Sequence, residues 1–147
     1  MFNKLLKLRE EQELSQQELG KIVNVDRSVI AKWENKSIAI PLKHLNTISN
    51  YFNVNIDYIL ALTNKKTNIK KIKELNKKEI GQRIKIVRKE NNLTLRSLAK
   101  ELNTTSSTIS AYETGKTLIL TAFAYQIARK YKISLDWLLG KSTNKYL

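Results

Sequence analysis

The chain has no cysteine, one proline, four glycines and one histidine among its 147 residues. Without thiols there are no disulfides and no thiolate metal sites, and a reducing cytoplasm is the expected setting. So few prolines and glycines leave few helix breakers, and the chain reads as all-α. No apolar run approaches the ~18–20 residues that span a bilayer, so no membrane partner is expected. The start, Met1-Phe-Asn-Lys-Leu-Leu-Lys7, soon turns acidic and polar, unlike a secretory signal. There is no glycine-rich phosphate loop, the carboxylates are scattered, and His44 is the single imidazole. No metal, cofactor or catalytic constellation follows from such a set, and the expectation is a protein that is not an enzyme.

Positive charge is abundant. The net charge is +14 with a pI near 10.0, a balance that favours polyanionic partners such as DNA, RNA or an anionic surface. It is unevenly spread: residues 1–62 carry net +1, residues 63–80 net +5 and residues 81–147 net +8. Apolar residues make up 41%, enough for one medium core or two small ones.

Displaced by 79 residues, the sequence matches itself without a gap. Arg9, Glu11, Leu14, Leu19, Lys21 and Asn24 meet Arg88, Glu90, Leu93, Leu98, Lys100 and Asn103. Ile30, Glu34, Ile48, Asp57 and Leu60 meet Ile109, Glu113, Ile127, Asp136 and Leu139. Conservative pairs fill the gaps, among them Ser15/Thr94, Trp33/Tyr112 and Phe52/Tyr131. A gapless match that keeps both charged and apolar identities signals an internal duplication. The division expected is 1–62 and 81–142, with 63–80 as linker and 143–147 as tail.

Each copy reads as five short helices. In copy one, Leu5 and Leu8 mark the core face of the first. Ser15 with Glu18 forms a capping box at the second. Asp26 caps the third, where Ile30 and Trp33 share a buried face. Pro41 opens the fourth, where a missing N–H is harmless. Asn55 caps the fifth. In copy two the corresponding signals are Thr94 with Ser97, Thr105 and Ser134. Only Asn24-Val25 and Asn103-Thr104 separate helices two and three. So short a turn forces a steep crossing, and Gly20 and Ala99 supply the small residue such a crossing needs.

With these residues in view, Leu-Arg-Glu-Glu…Leu-Ser-Gln-Gln-Glu-Leu-Gly…Val-Asp-Arg-Ser-Val-Ile-Ala-Lys-Trp-Glu…Pro resembles the lambda Cro and phage-repressor type of helix-turn-helix domain. Arg-Ile-Lys-Ile-Val-Arg-Lys-Glu-Asn-Asn-Leu-Thr…Ile-Ser-Ala-Tyr-Glu-Thr-Gly-Lys…Leu-Asp-Trp-Leu-Leu-Gly is similar to the same family. The resemblance covers roughly 2–62 and 81–142. It implies two tandem five-helix lambda-repressor-like domains whose third helices enter the major groove of double-stranded DNA.

The resemblance also assigns roles. Arg9 with Glu34, and Arg88 with Glu113, fall where an arginine of helix one pairs with a glutamate ending helix three. Base-reading positions fall on Arg27, Ser28 and Lys32 in copy one and on Ser106, Ser107 and Ala111 in copy two. Arg and Lys suit guanine O6 and N7, hydroxyls suit several bases, and Ala suits a thymine methyl. Phosphate contacts are expected from Ser15, Gln16, Asn35, Lys36, Thr94, Thr114 and Lys116. Two positions depart from the family. Lys36 stands where a glycine is usual, as Gly115 does in copy two. Leu95 stands where a polar residue such as Gln16 usually opens helix two.

The segment from Thr63 to Leu75 is lysine-rich. Its Ile69, Ile72 and Leu75 recur every third residue, which predicts a partly helical linker. Extended, ~15 residues reach up to ~50 Å, more than the ~34–36 Å between half-sites one turn apart. His44 aligns with Phe123, so a packing role is expected for it. Only a five-residue tail follows copy two, which leaves out the self-cleaving domain some phage repressors carry. The expectation is therefore a cytoplasmic transcriptional regulator, a repressor of bacterial, phage or mobile-element origin, with a homodimer left open. The alternative is a protein-binding regulator (antitoxin, antirepressor or inhibitor) in which one domain grips a protein.

Overall fold

The computed structural model describes residues 2–147, and among these ten helices and no strand ladder are found. Copy one contains α1 (Leu5–Glu11), α2 (Gln16–Val23), α3 (Arg27–Glu34), α4 (Leu42–Phe52) and α5 (Ile56–Ile59). Copy two contains α6 (Lys77–Glu90), α7 (Leu95–Glu101), α8 (Ser106–Glu113), α9 (Thr121–Tyr131) and α10 (Leu135–Leu138). The apolar period of each helix places Leu5, Leu19, Ile30, Leu45, Ile48 and Ile56 in one core, all fully buried. Ile84, Leu98, Ile109, Ala124, Ile127 and Leu135 do the same in copy two.

The capping boxes form as their sequences predict. Ser15 accepts from the Glu18 N–H at 3.0 Å while Glu18 accepts from the Ser15 N–H at 2.9 Å. Thr94 and Ser97 form the same pair. Asn76 caps α6 by accepting from the Glu79 N–H. Helix α6 thus begins at Lys77, where the cap-like Asn76-Lys-Lys-Glu79 stretch of the sequence opens helix one of copy two, ahead of the domain boundary expected at 81. Its first turns lie so close to the end of α8 that a Cβ on Gly81 would strike the Tyr112 and Glu113 carbonyls. In copy one, Asn3 serves that place instead, its amide donating to the Trp33 carbonyl at 3.0 Å.

Two caps differ from expectation. Asp26 and Asn55 hold the N-cap positions, but neither side chain caps its helix. Asp26 is exposed, and its carboxylate stays in solvent. Asn55 is turned outward to the chain that follows: its amide donates to the Lys65 carbonyl and its carbonyl accepts from the Thr67 N–H. The N–H groups it leaves are taken from across the molecule, by Asp136 of copy two.

The partly helical linker expected from Ile69, Ile72 and Leu75 is not found. No helix lies between α5 and α6. Its backbone groups are claimed by the folded copies: the Ile72 carbonyl accepts from the Asn46 and Asn50 amides at 3.0 and 2.8 Å, and the Lys70 N–H donates to the Lys141 carbonyl. A spacing of three records where this strap touches, with each of the three apolar residues half-buried.

The copies meet through matching segments. Asp136 accepts from the N–H groups of Ile56 and Asp57, at 2.8 and 2.9 Å. Asp57 in turn accepts from the Leu135 N–H at 2.6 Å and from the Ser134 hydroxyl. Each aspartate, 79 residues from the other, caps the opposite copy's fifth helix. A second paired contact joins the segments ahead of α4 and α9. Residues 39, 41–43 and their counterparts 118, 120–122 line one groove together with Ile119. An interface in which residue i meets j and j meets i is the mark of a two-fold axis. Here the axis relates two parts of one chain.

Candidate nucleic-acid interface

The turn between α2 and α3 is built around Gly20. Asn24 adopts φ 59° and ends α2 in the left-handed region, which asparagine tolerates. The Val25 N–H returns to the Gly20 carbonyl at 2.9 Å. A Cβ on Gly20 would lie 2.6 Å from the Val25 carbonyl oxygen, so the crossing admits only glycine there. In copy two Asn103 has φ 57° and the Thr104 N–H reaches the Ala99 carbonyl at 2.8 Å. There the same turn accommodates a methyl group.

Helix α3 lies on Ile30 and Trp33, and α8 on Ile109 and Tyr112, all four buried. His44 packs its ring on Trp33 at 5.2 Å, as Phe123 packs on Tyr112 at 6.3 Å. Burial, and then neighbouring Lys43, lower the His44 pKa, as suits an imidazole used as a packing ring.

The expected ion pairs are in place and nearly superimposable. Arg9 Nε and Nη2 donate to Glu34 at 2.6 and 2.9 Å, and Nη1 donates to the Leu14 carbonyl at 2.7 Å. Arg88 donates to Glu113 at 2.6 and 3.0 Å and to the Leu93 carbonyl at 2.8 Å. Each guanidinium therefore ties three points together: helix one, the loop ahead of helix two and the end of helix three. Hydrogen bonding to the glutamate raises the pKa of both arginines against the cost of burial.

On the outer face, Arg27, Ser28 and Lys32 are exposed, and so is Ser107; Ser106 and Ala111 are half-buried. Arg27 and Ser28 share a shallow depression with Gln17, Lys21 and Asp26. Of the residues expected at phosphates, Gln16 donates its amide to Glu34 at 3.0 Å. Ser15 and Thr94 use their oxygens as caps, though each side chain is exposed. Asn35 accepts from the Ser37 N–H, and Thr114 donates to the Ala111 carbonyl at 3.3 Å. Lys36 takes φ 65°, where Gly115 takes φ 78°, so the family's glycine site keeps its left-handed backbone under a lysine. The Lys36 ammonium sits 4.6 Å over the Phe2 ring. Lys116 is exposed just beyond Gly115.

Three functional features escaped the sequence: the reciprocal Asp57 and Asp136 caps, the buried Lys141 and the paired groove. Only the first left a signal at the 79-residue offset, where Asp57 meets Asp136; Lys141 meets Leu62 there, and the groove residues outside Ile40 and Ile119 differ between the copies.

Comparison with known proteins agrees with this geometry. Residues 5–59 match the family described as "Helix-turn-helix", and residues 81–142 match "Helix-turn-helix domain". No curated protein and no solved structure matches the chain. No helix among the described residues is long and apolar enough to cross a membrane. The two matches leave only short flanks and the strap between them: the chain belongs to the helix-turn-helix family, as two domains of the lambda Cro/repressor type in tandem.

Proposed function

We propose that the chain is a transcriptional repressor that binds operator DNA by placing α3 and α8 in the major groove. The observation that carries this is the pair of exposed helix faces, each backed by a bidentate Arg–Glu tie that fixes its angle to the domain. Arg27 and Lys32 on α3 suit guanine acceptors, and Ser106, Ser107 and Ala111 on α8 suit a less guanine-directed sequence. Lys36, Lys116, Asn35 and Thr114 follow the two reading helices, where phosphate contacts would fix register. Bound across a promoter, such a protein blocks polymerase by occupancy.

Selection of duplexes from a random pool, followed by a salt titration, tests this. Affinity should fall with a log–log slope of about −0.9 per phosphate neutralised. The weak net charge of residues 1–62 favours one rival, in which the first domain grips a protein. That rival requires no enriched sequence from the pool and a protein complex that survives high salt.

A further inference from the structure

We infer that a single chain fills a complete two-part operator, and that the two halves of that operator differ in sequence. This rests on the DNA-binding reading and specifies its partner: one duplex carrying two unlike half-sites on one face.

The geometry starts at the axis. Asp57 and Asp136 cap each other's helices across it. The segments ahead of α4 and α9 face one another across it. Rotation about an axis leaves height along that axis unchanged. Helices α3 and α8 therefore stand level with each other, one on each side, as the reading helices of a two-fold dimer do. A homodimer would have to assemble this arrangement from two chains. Here the strap between α5 and α6 delivers it within one.

The interface also rejects the alternatives. Lys141 is 1% exposed, with its ammonium donating to Asn46 and Asn50 at 2.7 and 2.6 Å. Both amides are held in turn by the Ile72 carbonyl of the strap. The two-fold mate of Lys141 is Leu62, and the mates of Asn46 and Asn50 are Tyr125 and Arg129. Leu62, Tyr125 and Arg129 do come together, around a cavity on the other side of the axis. If two second domains paired, Lys141 would face the Arg129 guanidinium and Tyr125 in place of its two amide acceptors. If two first domains paired, Leu62 would cover Asn46 and Asn50 and leave their side-chain carbonyl oxygens without a donor. The Thr121 hydroxyl shows the same preference, donating to the Ile40 carbonyl at 2.6 Å where its mate, Leu42, has nothing to donate. Copy one fits copy two and neither fits itself, so each chain closes its own interface and a second copy is not needed.

The two halves then read differently because the outer faces differ. Arg27, Ser28 and Lys32 occupy the positions of Ser106, Ser107 and Ala111. One half-site presents guanine acceptors, and the other presents groups that suit hydroxyls and a methyl contact.

The experiment uses the full chain on duplexes enriched from a random pool, with native mass spectrometry for stoichiometry and footprinting for extent. One chain per duplex is expected, protecting two unlike half-sites about 10–10.5 base pairs apart, centre to centre. Inserting five base pairs between them turns one half to the far face and should weaken binding ~100-fold or more. The double variant Arg27→Ala/Lys32→Ala should relax preference in one half only. Two chains per duplex, relaxation in both halves, or indifference to the insertion overturns the inference while leaving DNA binding intact. A pool with no enriched sequence overturns the DNA-binding reading itself, and this inference with it.

Discussion

Arg9 and Arg27 belong to the same small domain and are used in opposite ways. Arg9 is mostly buried and spends its three donor positions on the fold. Arg27 is exposed and leaves its own free. Arg9→Ala leaves Glu34, whose side chain is 6% exposed, without its counter-charge and with only the Gln16 amide, and should cost about 3 kcal/mol in urea unfolding. Arg27→Ala should change stability by less than about 0.5 kcal/mol. It should instead relax selectivity at one base pair by about 1–3 kcal/mol in competition binding. A large stability loss from Arg27→Ala would assign it to the fold and remove it from the reading face.

At the scale of elements, the two turns test how tightly each crossing is built. Gly20→Ala forces a methyl onto the Val25 carbonyl and should destabilise by about 1–3 kcal/mol in thermal unfolding. Ala99→Gly meets no such barrier and should cost about 0.5–1 kcal/mol through backbone entropy alone. Most helices were legible in the sequence because their starts are local chemistry: Ser15 with Glu18, Thr94 with Ser97 and Asn76 with Glu79 are decided within four residues. The Arg–Glu ties were legible through the family resemblance, which assigns Arg9 to Glu34 and Arg88 to Glu113, and their recurrence at 79 residues supports it. The strap was not, because a spacing of three is compatible with a helix and with a chain pinned at intervals by distant amides. The Asn55 cap failed for the same reason. Its place is decided by Asp136, 81 residues away, and no local pattern carries that information.

For the whole molecule, the Asp57 cap should make folding sensitive to pH. Burial, then the nearby Asp136 carboxylate, push the Asp57 pKa up; the Ser134 hydroxyl and the Leu135 N–H oppose the rise. A carboxyl whose folded pKa is raised binds more protons folded than unfolded. Its stabilisation is complete below the unfolded value near 3.9 and is lost as pH rises through the higher folded value. Stability attributable to Asp57 should therefore fall as pH rises from about 4 to about 8. Asp57→Asn keeps an oxygen for the Leu135 N–H and offers an amide to Asp136. It should flatten the pH profile of the melting temperature across that window and raise it at the upper end. Lys141 acts in the opposite sense, since burial lowers its pKa to about 8, so its effect gathers above that window. An unchanged slope in Asp57→Asn would show that Asp57 is not the titrating element.

The buried ammonium of Lys141, present on one side of the axis and replaced by Leu62 on the other, has a consequence for genome geography. A symmetric dimer on a palindrome lies the same way whichever strand is read, and it carries no arrow. A chain whose halves cannot exchange places has a head and a tail. Fixed on an operator with unlike halves, it distinguishes upstream from downstream. Any surface beside one domain alone then faces a single neighbouring gene.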